Sequence, residues 1–169
     1  MDATETVNGL TVTQVDGKIT GLTETLITAY VPEGTTSVVG NVAYVGAEKH
    51  VIAPEKFETA AQMPSTLTSW VADLSNLTVG DNMFKGTALT TFVGDLSSLT
   101  SGVDMFYGCR LDFESLEIIA ETLPTVTGSP VIHIGLIGNV GGISDEERVI
   151  ISQIESKGWD ATMQNGGID

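Results

Sequence analysis

The residues that could do chemistry in this chain are few, and their spacing limits what they can do together. Two histidines occur, His50 in "EKHVIA" and His133 in "VIHIGL", and neither has a His, Cys or carboxylate at metal-ligand spacing. His133 therefore reads as a strand residue whose ring hydrogen bond is satisfied, rather than as a ligand or base. The single Cys109 excludes an intrachain disulfide and a cysteine zinc cluster, and reads as a small buried apolar residue. No G-x-S-x-G, P-loop or G-x-G-x-x-G motif is found. "GNVGG" (138–142) is rich in glycine, but an incoming phosphate would meet Asp145, Glu146 and Glu147, so it reads as a strand-to-helix turn. We expect no enzymatic activity and no catalytic, cofactor-binding or metal-binding residues.

Carboxylates are the abundant reactive group, and Asp73 and Asp95 fall at the same place in two related segments. One reading is an acidic stripe that binds Ca²⁺ or a basic partner. The other, which the residue type favours, is a pair of turn residues bonding local backbone. The whole chain has a net charge of −15 with only seven Lys plus Arg. Such a surface repels a phosphate backbone and an anionic membrane, so nucleic acid and membrane insertion are not expected. No apolar run approaches the roughly 18 residues of a membrane span, and "MDATETVNG" has neither the basic nor the apolar region of a secretory signal.

The elements that position these residues are set by a repeat. "LTSWVADLSNLTVGDNMFKGTA" (67–88) aligns without gaps on "LTTFVGDLSSLTSGVDMFYGCR" (89–110), with 12 of 22 positions identical. A weaker echo, "VGNVAYVG" (39–46), matches "VGDNMFKG" (79–86) and "SGVDMFYG" (101–108) and aligns Gly40 with Gly80. A period in the twenties is the size of one solenoid coil carrying one short strand. Strands are expected at Leu67–Val71 and Leu89–Val93. Leu67 then stacks on Leu89, Trp70 on Phe92, Leu74 on Leu96, Leu77 on Leu99 and Phe84 on Phe106. Gly80 and Gly102 are expected at positive φ or in a tight turn. Ser69, Val71, Thr91 and Val93 lie between the core positions and form the candidate protein-binding sheet face, whose small, weakly polar residues suit a broad packed contact.

The two ends differ from this pattern. "LTVTQVDGKITGLT" (10–23) alternates apolar and polar residues about Asp16-Gly17, a hairpin signal, and would cap the stack. After Arg110, "DFESLEIIAETLP" has Asp112 as N-cap, Phe113, Leu116, Ala120 and Leu123 on one helix face and Pro124 as stop. "SPVIHIGLIG" reads as a strand, "SDEERVIISQIESKG" as a helix with a Ser144–Glu147 capping box, and "WDATMQ" as a last strand. The expected fold class is an α/β solenoid: a stack of short parallel strands with a period of about 22 residues, an N-terminal β-hairpin cap and helical C-terminal repeats. It would be one continuous domain, divided into 1–25, 26–110 and 111–169.

"MFYGC" (105–109) and "LTTFVGDLSSLTSG" (89–102) resemble the leucine-rich repeats of BspA-like bacterial surface antigens. The closing "ISDEERVIISQIESKGWDATMQNG" is similar to the ends of BspA-like proteins of gut bacteria and their bacteriophages, with a Lys-Gly-Trp turn. The resemblance implies a non-enzymatic structural or interaction protein. With no visible signal, the first expectation is a bacteriophage virion component, a capsid-decorating or fibre-associated protein. The alternative is a cell-surface adhesin module whose signal has been removed. Its partners would be other virion proteins or a host-surface protein, and a homo-oligomer is open.

Overall fold

The computed structural model describes residues 3–7, 10–15, 18–22, 31–59, 62–136 and 142–165. In chain order its elements are β1 (Ala3–Val7), β2 (Leu10–Val15), β3 (Lys18–Leu22), β4 (Ser37–Val39), β5 (Val42–Val45), β6 (Glu48–Val51), a 3₁₀ turn (Pro54–Lys56), β7 (Ser69–Val71), β8 (Thr91–Val93), β9 (Gly102–Leu111), α1 (Phe113–Thr122), β10 (Val131–Leu136), α2 (Asp145–Ser156) and β11 (Asp160–Asn165). They form three sheets with strand orders β1-β2-β3, β6-β5-β4-β7-β8 and β11-β10-β9.

The expected α/β solenoid is overturned by this topology. The central sheet is mixed: β4 pairs parallel with β7 and β7 with β8, but β5 pairs antiparallel with both β4 and β6. The parallel sheet β11-β10-β9 is separate from it, and among the described residues only two α-helices occur. Among the described residues no single ladder joins these sheets. The physical reason lies at Gly40 and Gly46, with φ of 57° and 60°. In the two short links between β4, β5 and β6 they take the left-handed conformation that reverses a chain into a hairpin, where a coil would carry it onward. At the N-terminus β2 and β3 pair antiparallel, and β1 adds a third strand to them. The Asp16-Gly17 turn of that hairpin lies outside the described residues.

The 22-residue repeat builds one lateral pair of segments. Ser69, Trp70 and Val71 face Thr91, Phe92 and Val93 in parallel register. Beyond the strands, Gly80, Asn82, Phe84 and Gly86 donate their N–H groups to the carbonyls of Ser101, Val103, Met105 and Tyr107. The strands themselves are shorter than expected, because Leu67 and Leu89 precede the paired residues. β4 joins the parallel set with Val38 opposite Trp70. That register aligns "SVVG" (37–40) with "SWVA" (69–72) and "TFVG" (91–94), so Gly40 corresponds to Ala72 and Gly94, and the alignment of Gly40 with Gly80 fails.

The core takes both repeat copies. Leu67, Leu74, Leu77, Met83, Leu89, Leu96, Leu99 and Met105 are fully buried, as are four aromatic rings. Phe84 lies stacked on Phe106 at 5.4 Å and meets Trp70 edge-on at 5.3 Å and Phe92 edge-on at 5.7 Å. It therefore contacts rings of both neighbouring strands. Gly80 and Gly102 do not have positive φ; that conformation belongs to Gly86 and Gly108. Gly80 is bare for a different reason, since a Cβ there would stand 2.7 Å from the Met105 sulfur.

After β9 the chain alternates strand and helix, the connection that parallel strands require. Asp112 caps α1 by accepting the Ser115 N–H at 2.9 Å, and the Ser144–Glu147 capping box opens α2. The buried side of α1 is Ser115, Leu116, Ile119 and Ala120, followed by Leu123, while Phe113 is 42% exposed and does not belong to it. Pro124 follows at once, so α1 has no glycine cap. Its last carbonyls are taken by Lys157, whose Nζ donates to Ala120, to Glu121 at 2.8 Å and to Leu123 at 2.7 Å. Trp159 Nε1 donates to the Pro124 carbonyl at 2.9 Å, and a Cβ on Gly158 would strike the Val126 carbonyl. The Lys-Gly-Trp turn is thus the device that closes the end of α1.

Two stability changes follow from this packing. Phe84→Ala, removing the ring that contacts three others, should cost about 3–5 kcal/mol in a urea melt. A loss under about 1 kcal/mol would contradict the shared aromatic core. Lys157→Met keeps the aliphatic stem but leaves three carbonyls without their donor. It should cost about 1–3 kcal/mol, and hydrogen exchange should speed up in the last turn of α1 rather than across the central sheet.

Candidate functional site: the outer face of the central sheet and its groove

Alternation along three-residue strands divides the central sheet into an inner and an outer face. Val38, Trp70 and Phe92 point inward and are fully buried. The four residues singled out from the sequence lie on the opposite face: Ser69 beside Thr91, and Val71 beside Val93. β4 extends both rows with Ser37 and Val39. Val39 is 50% and Val93 39% exposed, while Ser69, Val71 and Thr91 are half-buried. The visible signal for β4 was the triplet "SVV" beside "SWV" and "TFV"; its offset of 32 residues from β7, against 22 from β7 to β8, hid it.

This face is smaller than a broad packed contact needs. Five strands span about 20 Å, and three-residue strands are about 10 Å long, so it offers roughly 200 Å². A standard interface takes about 800 Å² from each partner.

Among the described residues the sheet does not continue past β8, because α1 covers that edge. The Phe92 N–H, which a further strand would have bonded, is taken by Ser115 Oγ at 2.8 Å, and Thr91 Oγ1 donates to Asp112 Oδ2 at 3.3 Å. Between α1 and the ends of the parallel strands a groove of about 490 Å³ opens, lined by Gly40, Val71, Ala72, Val93, Gly94 and Ile118, with Asp73, Asp95 and Thr122 beside them. Asp73 Oδ1 accepts the Ser75 N–H at 2.8 Å, and Asp95 Oδ1 accepts the Ser97 N–H at 2.8 Å. Both aspartates therefore make the local turn bonds expected of them while standing at the rim of an apolar slot.

A second group of polar residues sits on β9 and β10. β9 carries extra residues relative to β10: Ile132, Ile134 and Leu136 face Gly102, Phe106 and Leu111, with register shifts between them. The slack is absorbed at Asp104 and Gly108, with φ of 56° and 78°. Gly135 accommodates it, since a Cβ there would enter the backbone of Phe106 and Cys109. Asp104 is thereby brought to Lys85 Nζ at 2.7 Å and His133 Nδ1 at 2.7 Å. Lys85 also lies 5.3 Å from the centre of the Tyr107 ring, which meets His133 edge-on. His133 Nδ1 is 3.1 Å from the Asp104 N–H as well. A neutral ring can accept from that N–H, and a protonated ring can donate to the carboxylate, so one nitrogen serves either partner. This group escaped the sequence reading because its members belong to three segments and their residue types are not repeated, Lys85 standing where the second copy has Tyr107 and Asp104 where the first has Asn82.

Elsewhere His50 Nε2 contacts Glu48 Oε1 at 3.1 Å. Cys109 is buried, its Sγ donates to the Phe84 carbonyl at 3.1 Å, and burial pushes its thiol up to about 11. Among the described residues no three His, Cys, Asp or Glu side chains come together as a metal site would need, and no helix is long and apolar enough to cross a membrane. Most of "GNVGG" lies outside the described residues, Gly142 excepted. Comparison with protein-family models, curated proteins and solved structures returned no match.

The Lys85 hydrogen bond, reinforced by the charges of Lys85 and His133, holds the Asp104 carboxyl below its ordinary value of 3.8. A lowered carboxyl pKa stabilises the fold above the unfolded value, and that contribution is lost as pH falls through the folded one. Asp104→Asn should therefore lower the urea midpoint near neutral pH, and the difference from the parent chain should shrink steadily below pH 3.8. A gap that is constant with pH would contradict the charge pairing.

Proposed function

We propose that this chain is a non-enzymatic interaction protein that binds a protein partner through the outer face of its central sheet, as a structural component of a bacteriophage particle. The observation that carries the binding role is the valine row Val39–Val71–Val93, left on the outer face at the mouth of an apolar groove. Leaving such residues in water gains nothing for the fold, and covering them with a partner does. The small area points to anchoring by a few side chains rather than to broad face-to-face packing. The particle setting is supported by the likeness of the closing segment to the ends of phage-borne BspA-like proteins. The alternative is an adhesin module on a bacterial surface, supported by the same family likeness.

The test is location together with surface mutation. Antibodies against the chain should label density-purified phage particles from the source culture. Recombinant chain should bind particles stripped of it, and Val39→Asp/Val93→Asp should abolish that binding with little change in melting temperature, since both positions are exposed. Label confined to the bacterial envelope would move the assignment to the adhesin. Undiminished binding by the double variant would remove the sheet face from the mechanism.

A further inference from the structure

We infer that the groove at the ends of β4, β7 and β8 receives a short partner segment in which an apolar side chain is flanked by Lys or Arg. This rests on the binding role proposed above and names the chemistry of the partner. The floor of the groove is the row Gly40, Ala72 and Gly94, each following the last residue of its strand. The row is held in line by backbone bonds from the Gly40 N–H to the Val71 carbonyl at 2.7 Å and from the Ala72 N–H to the Val93 carbonyl at 3.0 Å. Gly94 cannot gain a side chain without displacement, because its Cβ would stand 2.9 Å from the Phe92 ring and 3.1 Å from the Ala72 carbonyl. With glycine at two of these positions and a single methyl at the third, the floor of the slot is small. Val71, Val93 and Ile118 make its sides apolar, so a guest gains by burying hydrocarbon there.

Charge selects the flanks of that guest. Asp73 and Asp95 occupy equivalent places just beyond the ends of β7 and β8 and both line the groove, and no Lys or Arg is among its described lining residues. Each carboxylate is anchored at Oδ1 by its own turn, so little side-chain freedom remains to be lost when a cation arrives. A second copy of this chain is a poor occupant, since 22 acidic residues against 7 basic ones give like-charged surfaces that repel. The roughly 200 Å² of sheet face suits a segment of a few residues rather than a domain.

The experiment uses the full chain and three labelled peptides read by fluorescence anisotropy: Lys-Leu-Arg-Leu-Lys, its Glu-Leu-Glu-Leu-Glu counterpart, and Lys-Gly-Arg-Gly-Lys. The first should bind and weaken as salt is raised; the other two should not bind. Asp73→Asn/Asp95→Asn retains Oδ1 as acceptor for the turn bonds, so the melt should be unchanged while affinity falls about five-fold and the salt dependence flattens. Val93→Lys, which places a cation at the mouth from within, should abolish binding. Equal binding of the glutamate peptide, an unchanged affinity in the double Asn variant, or no binding of the first peptide would overturn the inference. So would a chain that self-associates with its groove covered. Particle labelling is read independently, so failure of the peptides and failure of the binding role can be told apart.

Discussion

The contact on which most of this structure depends is the meeting of four rings around Phe84. Trp70 and Phe92 come from adjacent strands, Phe84 from the turns between β7 and β8 and Phe106 from β9, and Phe84 touches the other three. A three-residue strand cannot bury enough surface to hold itself in register. The rings supply what the strands lack, because each aromatic side chain buries far more area than the backbone bonds around it and tolerates only a few relative orientations. Trp70 meets its one polar obligation locally, donating Nε1 to the Ala72 carbonyl at 3.3 Å. With the inner face fixed in this way, the valine row has only the outer face left to it.

The second constraint is how each open backbone edge is closed. At β8 a hydroxyl does the work of a strand, with Ser115 Oγ receiving the Phe92 N–H. At the end of α1 an ammonium does the work of a glycine cap, with Lys157 reaching three carbonyls. The first holds α1 beside β8 and the second ties its far end to the turn after α2, and the groove lies where the helix meets the ends of the strands. Fold and candidate site are thus linked through one helix.

How much of this could be read in the sequence depends on whether a residue recurs. Leu67 with Leu89, Leu77 with Leu99 and Phe84 with Phe106 were legible because identical side chains at one interval must occupy similar surroundings, and the Ser144–Glu147 box was legible because capping is local. Extending that interval to the whole chain failed, since two copies do not establish a third. Gly40 and Gly46 turn the chain back where a coil was expected. Recurrence also cannot say which glycine needs its freedom: Gly80, Gly86, Gly102 and Gly108 all sit in matched pairs, and only Gly86 and Gly108 have positive φ. The four sheet-face residues were placed on one face, but the contribution of β4 and the groove beside it required the three-dimensional register. The Lys85–Asp104–His133 group was invisible for the same reason, as its residues meet only after β9 has bulged twice.

The Lys157 contact also sets an order of events during synthesis. The end of α1 lies some thirty-five residues before the side chain that completes it, the separations being 37, 36 and 34 along the chain. While the ribosome still holds residue 157, the last turn of α1 has no partner for its carbonyls, although the aromatic cluster, all upstream of residue 107, can already form. The Ser115 and Asp112 contacts that cover β8 are thus available first, and the helix that carries them has its far end fastened only later, by a side chain from beyond α2.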